Sequence, residues 1–340
     1  MKKRSLPIVG SLLLAFAVCG QPAIAEEIRE RTIKLGHFMN PSNPLSLGAR
    51  EFARIVADKS GGKLKVREFP AGQLGAEPQQ RSALIGGTQE ITIQASSHLV
   101  GTVKEFGIFD FPFLVQNEAQ ADALHDGAAG QALLDTLPAR GLVALGYWEN
   151  GFRHVTNSKR PIQKMEDLAG LKLRVQANPV FIETFEALGA NPIPLSFSEL
   201  YTALETKAVD AQENPLMIVQ SSKLYEVQKY ASLTRHAYGN LVVLVGKRFW
   251  DGLSPTEQKI MNEAFAEARD YERQESRRQY SEAIKDLRSK GQEVNDVSAA
   301  ELERMRKVTL PVTQKFASTY DPTIMEVFER ELERVRAAHP

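Results

Sequence analysis

Arg174 lies in LKLRVQ, residues 171–176, where Leu171, Leu173 and Val175 alternate with polar positions. The alternation reads as a half-buried strand, and an arginine near its carboxyl end carries its charge at every pH a protein meets. Burying that charge demands an anion, either a nearby acid such as Glu213 or the carboxylate of a ligand. Glu213 belongs to VDAQENP, residues 209–215, in which Val209 and Ala211 alternate with Asp210 and Gln212 until Pro215 removes a backbone donor. A carboxylate and an amide therefore stand together at the tip of a core strand. Asn214 can donate to a carboxylate oxygen and Glu213 cannot, so Glu213 is expected to pair with an arginine and hold it in place. Arg153, in NGFRHVTNS, is a second cation that by itself reads equally well as an exposed loop residue. Glu77 follows QLG at a helix start, where the macrodipole favours an acid with or without a ligand.

Signatures of catalysis are absent from the sequence. It has no GxSxG elbow, HExxH pair, Walker loop or GxGxxG turn. His37, His98, His125, His154, His236 and His339 show no metal-ligand spacing. No catalytic residue, metal or cofactor is assigned. The alternative from another class is an enzyme whose site is built from distant residues, and nothing in the sequence selects them.

The elements that must position these residues fall into two similar runs. TIKLGHF, KLKVREF and QEITIQAS read as strands, separated by the helical stretches LSLGAREFARIVADKSGG and EPQQRSALIGG. Later, LKLRVQ, NPIPLSF and VDAQEN read as strands separated by PVFIETFEALGA and SELYTALETKA, with Ser196 and Glu199 spaced as a capping box. Each run is βαβαβ, which favours a parallel sheet with right-handed crossovers. Ligands of open α/β sheets sit beyond the carboxyl ends of the strands. Glu213 and Asn214 lie there in one run, Gln94 and Ser96 in the other. GLVALGYWENGFRHVTNS and LTRHAYGNLVVLVG read as crossings between the two, and Pro255 to about Lys290 as one long helix. Its centre, ERQESRRQ, is polar all round, as suits a helix bridging two domains.

The chain has 340 residues, with 42 basic and 42 acidic. MKKR, the apolar LPIVGSLLLAFAVCG and Ala23-Ile24-Ala25 form a leader expected to be cleaved after Ala25. Loss of Lys2, Lys3 and Arg4 leaves a net charge of −3. Cys19, the only cysteine, lies inside the leader, so no disulfide or thiol chemistry is expected afterwards. No basic stripe points to nucleic acid. A small molecule or another protein is the expected partner.

GQLGAE at 72–77, NGFRHVTNSKRPI at 150–162, LKLRVQ at 171–176, ALGANPIPLSFSELYTALET at 187–206 and VDAQENP at 209–215 stand in an order that resembles one family. It comprises the solute-binding subunits of tripartite ATP-independent periplasmic (TRAP) transporters, including sialic-acid receptors. The resemblance implies an α/β, two-lobe periplasmic-binding-protein-like fold, each lobe a mixed or mostly parallel sheet flanked by helices, with a long lobe-spanning helix. It implies that Arg174 makes the principal salt bridge to a ligand carboxylate, with Arg153 and Asn214 adding contacts. Phe197 is expected to pack on the ligand and Glu77 to meet its polar end. His37, Asn40 and Ser96 are further expected lining residues, with Glu213 behind an arginine.

The expected division is a leader over 1–25, a first lobe over 26–150 with about 241–279, and a second over about 151–240 with 280–340. The expected function is that of a monomeric periplasmic receptor, closing two lobes on a small organic acid and delivering it to TRAP membrane subunits. Arg174, Arg153 and Asn214 lie on one lobe and suit a single carboxylate. Glu77, Gln94, Ser96, His37 and Asn40, on the other, suit hydroxyls better than a second anion. The expected ligand is therefore a monocarboxylic sugar acid, a uronate or aldonate, with a C4-dicarboxylate or sialic acid as alternatives.

Overall fold

The computed structural model describes residues 28–340, so the leader and its cleavage after Ala25 fall outside the described residues. The first run forms β1 (Arg31–His37), α1 (Pro44–Lys59), β2 (Leu64–Phe69), α2 (Glu77–Gly86) and β3 (Ile91–Ala95). Two helices, α3 (Glu118–Asp126) and α4 (Ala128–Leu134), precede the long strand β4 (Leu142–Asn157). The second run forms β5 (Lys172–Val175), α5 (Pro179–Ala187), β6 (Asn191–Pro194), α6 (Phe197–Glu205) and β7 (Ala211–Asn214). After α7 (Leu216–Ser221) comes a second long strand, β8 (Tyr230–Gly246). The short α8 (Lys247–Trp250), α9 (Pro255–Ser289), β9 (Glu293–Asp296), α10 (Ala299–Ala317) and α11 (Pro322–Ala338) complete the chain.

Local chemistry explains the boundaries. Asn43 accepts from the Leu45 N–H and Pro44 opens α1, so an orphan donor is satisfied where proline costs nothing. Ser254, Pro255 and Glu257 do the same for α9. At α6 the Glu199 carboxylate returns to the Ser196 N–H at 3.1 Å, as the capping-box spacing predicts.

The nine strands among the described residues form one sheet in the order β2-β1-β3-β8-β4-β7-β5-β6, with β9 paired to β8. β1 is parallel to β2 and β3, and β5 is parallel to β6 and β7. The two runs therefore have the same internal order, second strand, first strand, third strand. Each third strand then pairs antiparallel with a long one, β3 with β8 and β7 with β4. β4 and β8 pair with each other from Leu142 opposite Gly246 to Asn157 opposite Tyr230. The expected interlobe crossings are thus ladder strands belonging to both runs. Register shifts interrupt that ladder between Glu149 and Gly151 and between Arg153 and Val155.

Separate apolar clusters lie under each run. Ile33, Leu35, Phe52, Ile91, Ile93 and Val243 pack with Ile260, Met261, Ala264 and Phe265 of α9. Leu200, Leu204, Val209 and Leu216 pack with Ala283 and Leu287 of the same helix. At 35 residues α9 is long enough to serve both. Its polar middle differs from expectation, because Glu272, Arg273 and Ser276 are buried. Polar partners from distant elements meet them. Arg273 Nη1 donates to Asp126 at 2.7 Å, and Glu272 Oε2 accepts from the Glu149 N–H at 2.9 Å. α10 packs on α5, whereas α11 packs on α3 and α4 through Met325 and Phe328. No described helix is long and apolar enough to cross a membrane.

Candidate functional site

Arg153, on β4, is fully buried and ion-paired. Its Nη2 donates to Glu213 Oε1 at 2.8 Å and its Nε donates to Glu213 Oε2, while Nη2 also reaches Asn214 Oδ1 at 3.1 Å. His236 Nε2 lies 3.2 Å from Glu213 Oε2. Burial opposes ionisation of Glu213, but Arg153 and His236 outweigh it and hold the carboxyl down at about 2. The arginine that Glu213 holds is therefore Arg153.

Arg174 has a different environment. It sits on β5 between Ile193 of β6 and Gln212 of β7, at 0% exposure. Nε and Nη2 both donate to the Leu195 carbonyl, at 3.0 and 2.7 Å. Nη1 is buried and makes no hydrogen bond among the described residues, and no carboxylate there lies within salt-bridge distance. Burial pulls Arg174 down to about 10, with Glu213, Glu77 and Glu199 opposing it from farther off. A buried, permanently charged fork with a free prong is what a carboxylate ligand would complete.

Glu77 opens α2 and is 4% exposed. Its Oε1 makes no hydrogen bond among the described residues, which a solvated helix-end acid would not require. Gln94, on β3, accepts from Arg81 Nη1 at 3.0 Å and leaves its own Nε2 unpartnered. Arg174 Nη1, Glu77 Oε1 and Gln94 Nε2 are three unsatisfied polar atoms on the two runs, and such atoms are rare in folded proteins.

The other expected residues are placed as follows. Phe197 starts α6 and meets Phe38 of the first run edge to face, centroids 5.6 Å apart. Asn214 is buried, with its amide donating to Gln212 Oε1 at 2.6 Å. His37 is turned to Glu68, at 2.9 Å, and Ser46, leaving Nδ1 unpartnered. Asn40 donates to the Ser221 carbonyl at 3.0 Å, linking the loop after β1 to α7. Ser96 is buried at the end of β3, but its neighbour Ser97 makes the contact across, to Gln176. The contacts of His37 and Asn40 do not join them to the arginines.

Several residues of the cluster carried no sequence signal. With its amide turned to satisfy both ends, Gln176 accepts from Arg153 Nη2 at 3.1 Å and donates to Ser97. Asn178 Nδ2 donates to Asp110 Oδ2 at 2.6 Å. Burial pushes the Asp110 carboxyl up to about 8 against that bond and Arg153. His98 Nε2 lies 3.9 Å from Glu77 Oε1. Burial lowers the His98 pKa, Glu77 opposes, and Arg174, Arg81 and Arg153 reinforce the fall. Arg81 is a cation on a side where the sequence pattern suggested none, though Glu77 offsets its charge. Only the polar character of SSH and the QQR of α2 hinted at these roles.

Residues 35–319 match the DctP family, described as bacterial extracellular solute-binding protein, family 7. The crystal structure of the sugar acid binding protein DctPAm from Advenella mimigardefordensis strain DPN7T, in complex with galactonate, is 40% identical with a TM-score of 0.88, covering 91% of this chain and 99% of that one. The 2,3-diketo-L-gulonate-binding periplasmic protein YiaO of Escherichia coli K12 is 36% identical over 285 residues, 84% of this chain and 87% of YiaO. The C4-dicarboxylate-binding periplasmic protein DctP of Rhodobacter capsulatus is 32% identical over 312 residues, 91% of this chain and 92% of that protein.

Proposed function

The chain belongs to the DctP family of bacterial extracellular solute-binding proteins, and from that premise we propose that its ligand is a hydroxylated monocarboxylic acid, an aldonate or uronate, held through its carboxylate by Arg174. Members of the family are extracytoplasmic receptors for small organic acids rather than enzymes, and they work with TRAP membrane subunits. The observation that carries the ligand class is the contrast between the two arginines. Arg153 already has Glu213, and Arg174 has no acid of its own among the described residues. One missing negative charge asks for one carboxylate.

The far side of the site favours hydroxyls. Glu77 and Arg81 offset each other there, so a second carboxylate would meet no net positive charge, while the unpartnered Glu77 Oε1 needs a donor that a carboxylate lacks. Arg174, Arg153, Asn214 and Phe197 form one wall and Glu77, Gln94 and Ser96 the other, with Glu213 as the support of Arg153. His37 and Asn40 act from outside that wall, through Glu68 and Ser221. The receptor is a monomer that loses its leader after Ala25. Its halves, 26–150 with about 241–279 and about 151–240 with about 280–317, close on the ligand by flexing β4, β8 and α9. α11 moves with the first half, on which it packs.

Arg81 is the observation that favours a C4-dicarboxylate instead, since its Nη2 could serve a distal carboxylate. A thermal-shift panel separates the two. D-galactonate, D-gluconate, D-galacturonate and D-glucuronate are expected to stabilise the protein, by about 2.7 kcal/mol at one hundred times the dissociation constant. Stabilisation by succinate or malate, with none of the sugar acids effective, would replace the sugar-acid reading.

A further inference from the structure

His98 is the side chain near the arginine cluster for which neither the fold nor carboxylate binding accounts. It sits on the single turn Ser96–Leu99 that follows β3. Arg81 fixes that turn by donating from Nη1 to the His98 carbonyl at 3.2 Å and to Gln94 Oε1 at 3.0 Å. The imidazole Nε2 then faces Glu77 Oε1 across 3.9 Å. That gap is too wide for a direct hydrogen bond. One oxygen atom set to the side of the pair, about 2 Å off the line that joins them, lies about 2.8 Å from each.

The pair is complementary to one functional group. Glu77 Oε1 can only accept, and its other contacts leave it unsatisfied among the described residues. The charged groups whose fields reach His98 are Glu77 and Arg81 of α2, Arg174 of β5 and Arg153 of β4. Burial lowers the imidazole's pKa, Glu77 opposes that and the arginines reinforce it, so the ring is neutral and can offer Nε2–H as a donor. An atom between the two must donate to one and accept from the other. An alcohol does both. A carboxylate or ketone oxygen only accepts, and a methylene does neither.

Resting on the ligand class proposed above, we propose that His98 is a specificity-determining residue which, with Glu77, clamps one ligand hydroxyl, accepting its proton at Glu77 Oε1 and donating to its oxygen from His98 Nε2. Gln94 Nε2, unpartnered on the adjacent strand, supplies a further donor to the same part of the ligand. The clamp selects acids bearing an alcohol at a fixed distance from the carboxylate that Arg174 holds. It discriminates against deoxy acids and against dicarboxylates, because the analogue leaves a buried acceptor unpaired.

The test is calorimetry on the full chain with the tightest-binding of D-galactonate, D-gluconate, D-galacturonate and D-glucuronate, and with each monodeoxy analogue of that acid. One analogue is expected to bind the wild type about 100-fold or more weakly than its parent. In His98→Phe the parent loses affinity and the gap between parent and that analogue shrinks at least tenfold. His98→Gln, which keeps a donor, restores part of the gap and covers the case in which the phenylalanine variant fails to fold. Glu77→Gln shrinks the gap in the same way. Monodeoxy analogues that all bind within threefold of the parent would overturn the clamp and leave the sugar-acid reading standing, as would an undiminished gap in His98→Gln and Glu77→Gln together. Failure of every sugar acid to bind the wild type would overturn both.

Discussion

Glu213 turns both of its carboxylate oxygens to Arg153 and leaves Arg174, on the strand along its other side, without an acid among the described residues. Arg153 lies on β4, Glu213 on β7 and Arg174 on β5, and the sheet runs β4-β7-β5. The middle strand's acid could have paired with either neighbour's arginine. Its choice divides the labour, giving one arginine a structural partner and leaving the other a charge that no acid among the described residues pairs.

That division makes Arg174 unusual among buried charges. Replacing it with Met is expected to reduce sugar-acid affinity at least 100-fold while leaving the ligand-free melting temperature equal to or above that of the wild type. Loss of an unsatisfied buried group is worth ~1–3 kcal/mol, set against two lost bonds to the Leu195 carbonyl. Lys should recover little affinity, because an ammonium cannot reproduce the planar fork. A ligand-free melting temperature several degrees below wild type would show that Arg174 is structural.

Glu213→Gln should behave in the opposite way. It strands a buried Arg153 and is expected to destabilise the fold by about 3–5 kcal/mol at neutral pH. Glu213 is held at about 2, below its ordinary value of 4.5. Its contribution is therefore present above about 4.5 and lost as pH falls toward about 2. Urea unfolding of the wild type should show that acid loss, and the Gln variant should show a shallower one. Identical acid profiles would remove Glu213 from the stability balance.

Asp110 carries the reverse sign. Burial raises it to about 8 from an ordinary 3.8, so the neutral acid's contribution is complete below about 4 and declines as pH rises toward about 8. Asp110→Asn keeps an oxygen for Asn178 and cannot ionise. Chemical denaturation at pH 5 and pH 8.5 should show the variant gaining on the wild type at the higher pH, by at most ~1.4 kcal/mol per unit crossed. An equal difference at both values would contradict a raised Asp110.

Asn40 tests closure without touching the charged site. Its bond to the Ser221 carbonyl joins the two runs, so Asn40→Ala should weaken binding about 3- to 10-fold, the worth of one hydrogen bond, mainly through faster release. Solution scattering should show the wild type's radius of gyration falling on ligand addition. Profiles unchanged at saturation would exclude large closure, and an unchanged off-rate in the variant would remove Asn40 from the closed state.

The two βαβαβ runs were legible in the sequence because each helix carries its own punctuation, such as Asn43-Pro44 or Ser196 with Glu199, and each strand its alternation. Polar residues at strand tips, Arg174, Glu213 and Asn214, were legible for the same reason. Their pairing was not. Glu213 meets Arg153 only because β4 inserts antiparallel beside β7, a matter of sheet order that no local pattern encodes. Likewise ERQESRRQ reads as a solvated bridge until Asp122, Asp126 and Glu149 arrive from other elements to pair Arg273 and Arg277. His98 and Arg81 were hidden because a turn and a helix face acquire meaning only opposite Arg174.

The shared strands also dictate an order of assembly. β3 stays an open edge, with Ile91 and Ile93 unable to complete their ladder, until Leu241–Val245 of β8 arrive, and α1 waits for α9. The first run, made early, therefore cannot complete its sheet until residues 241–245 have joined it. Contacts of such long sequence separation form late. A truncation before Tyr230 removes β8 and deprives both halves of their central ladder at once.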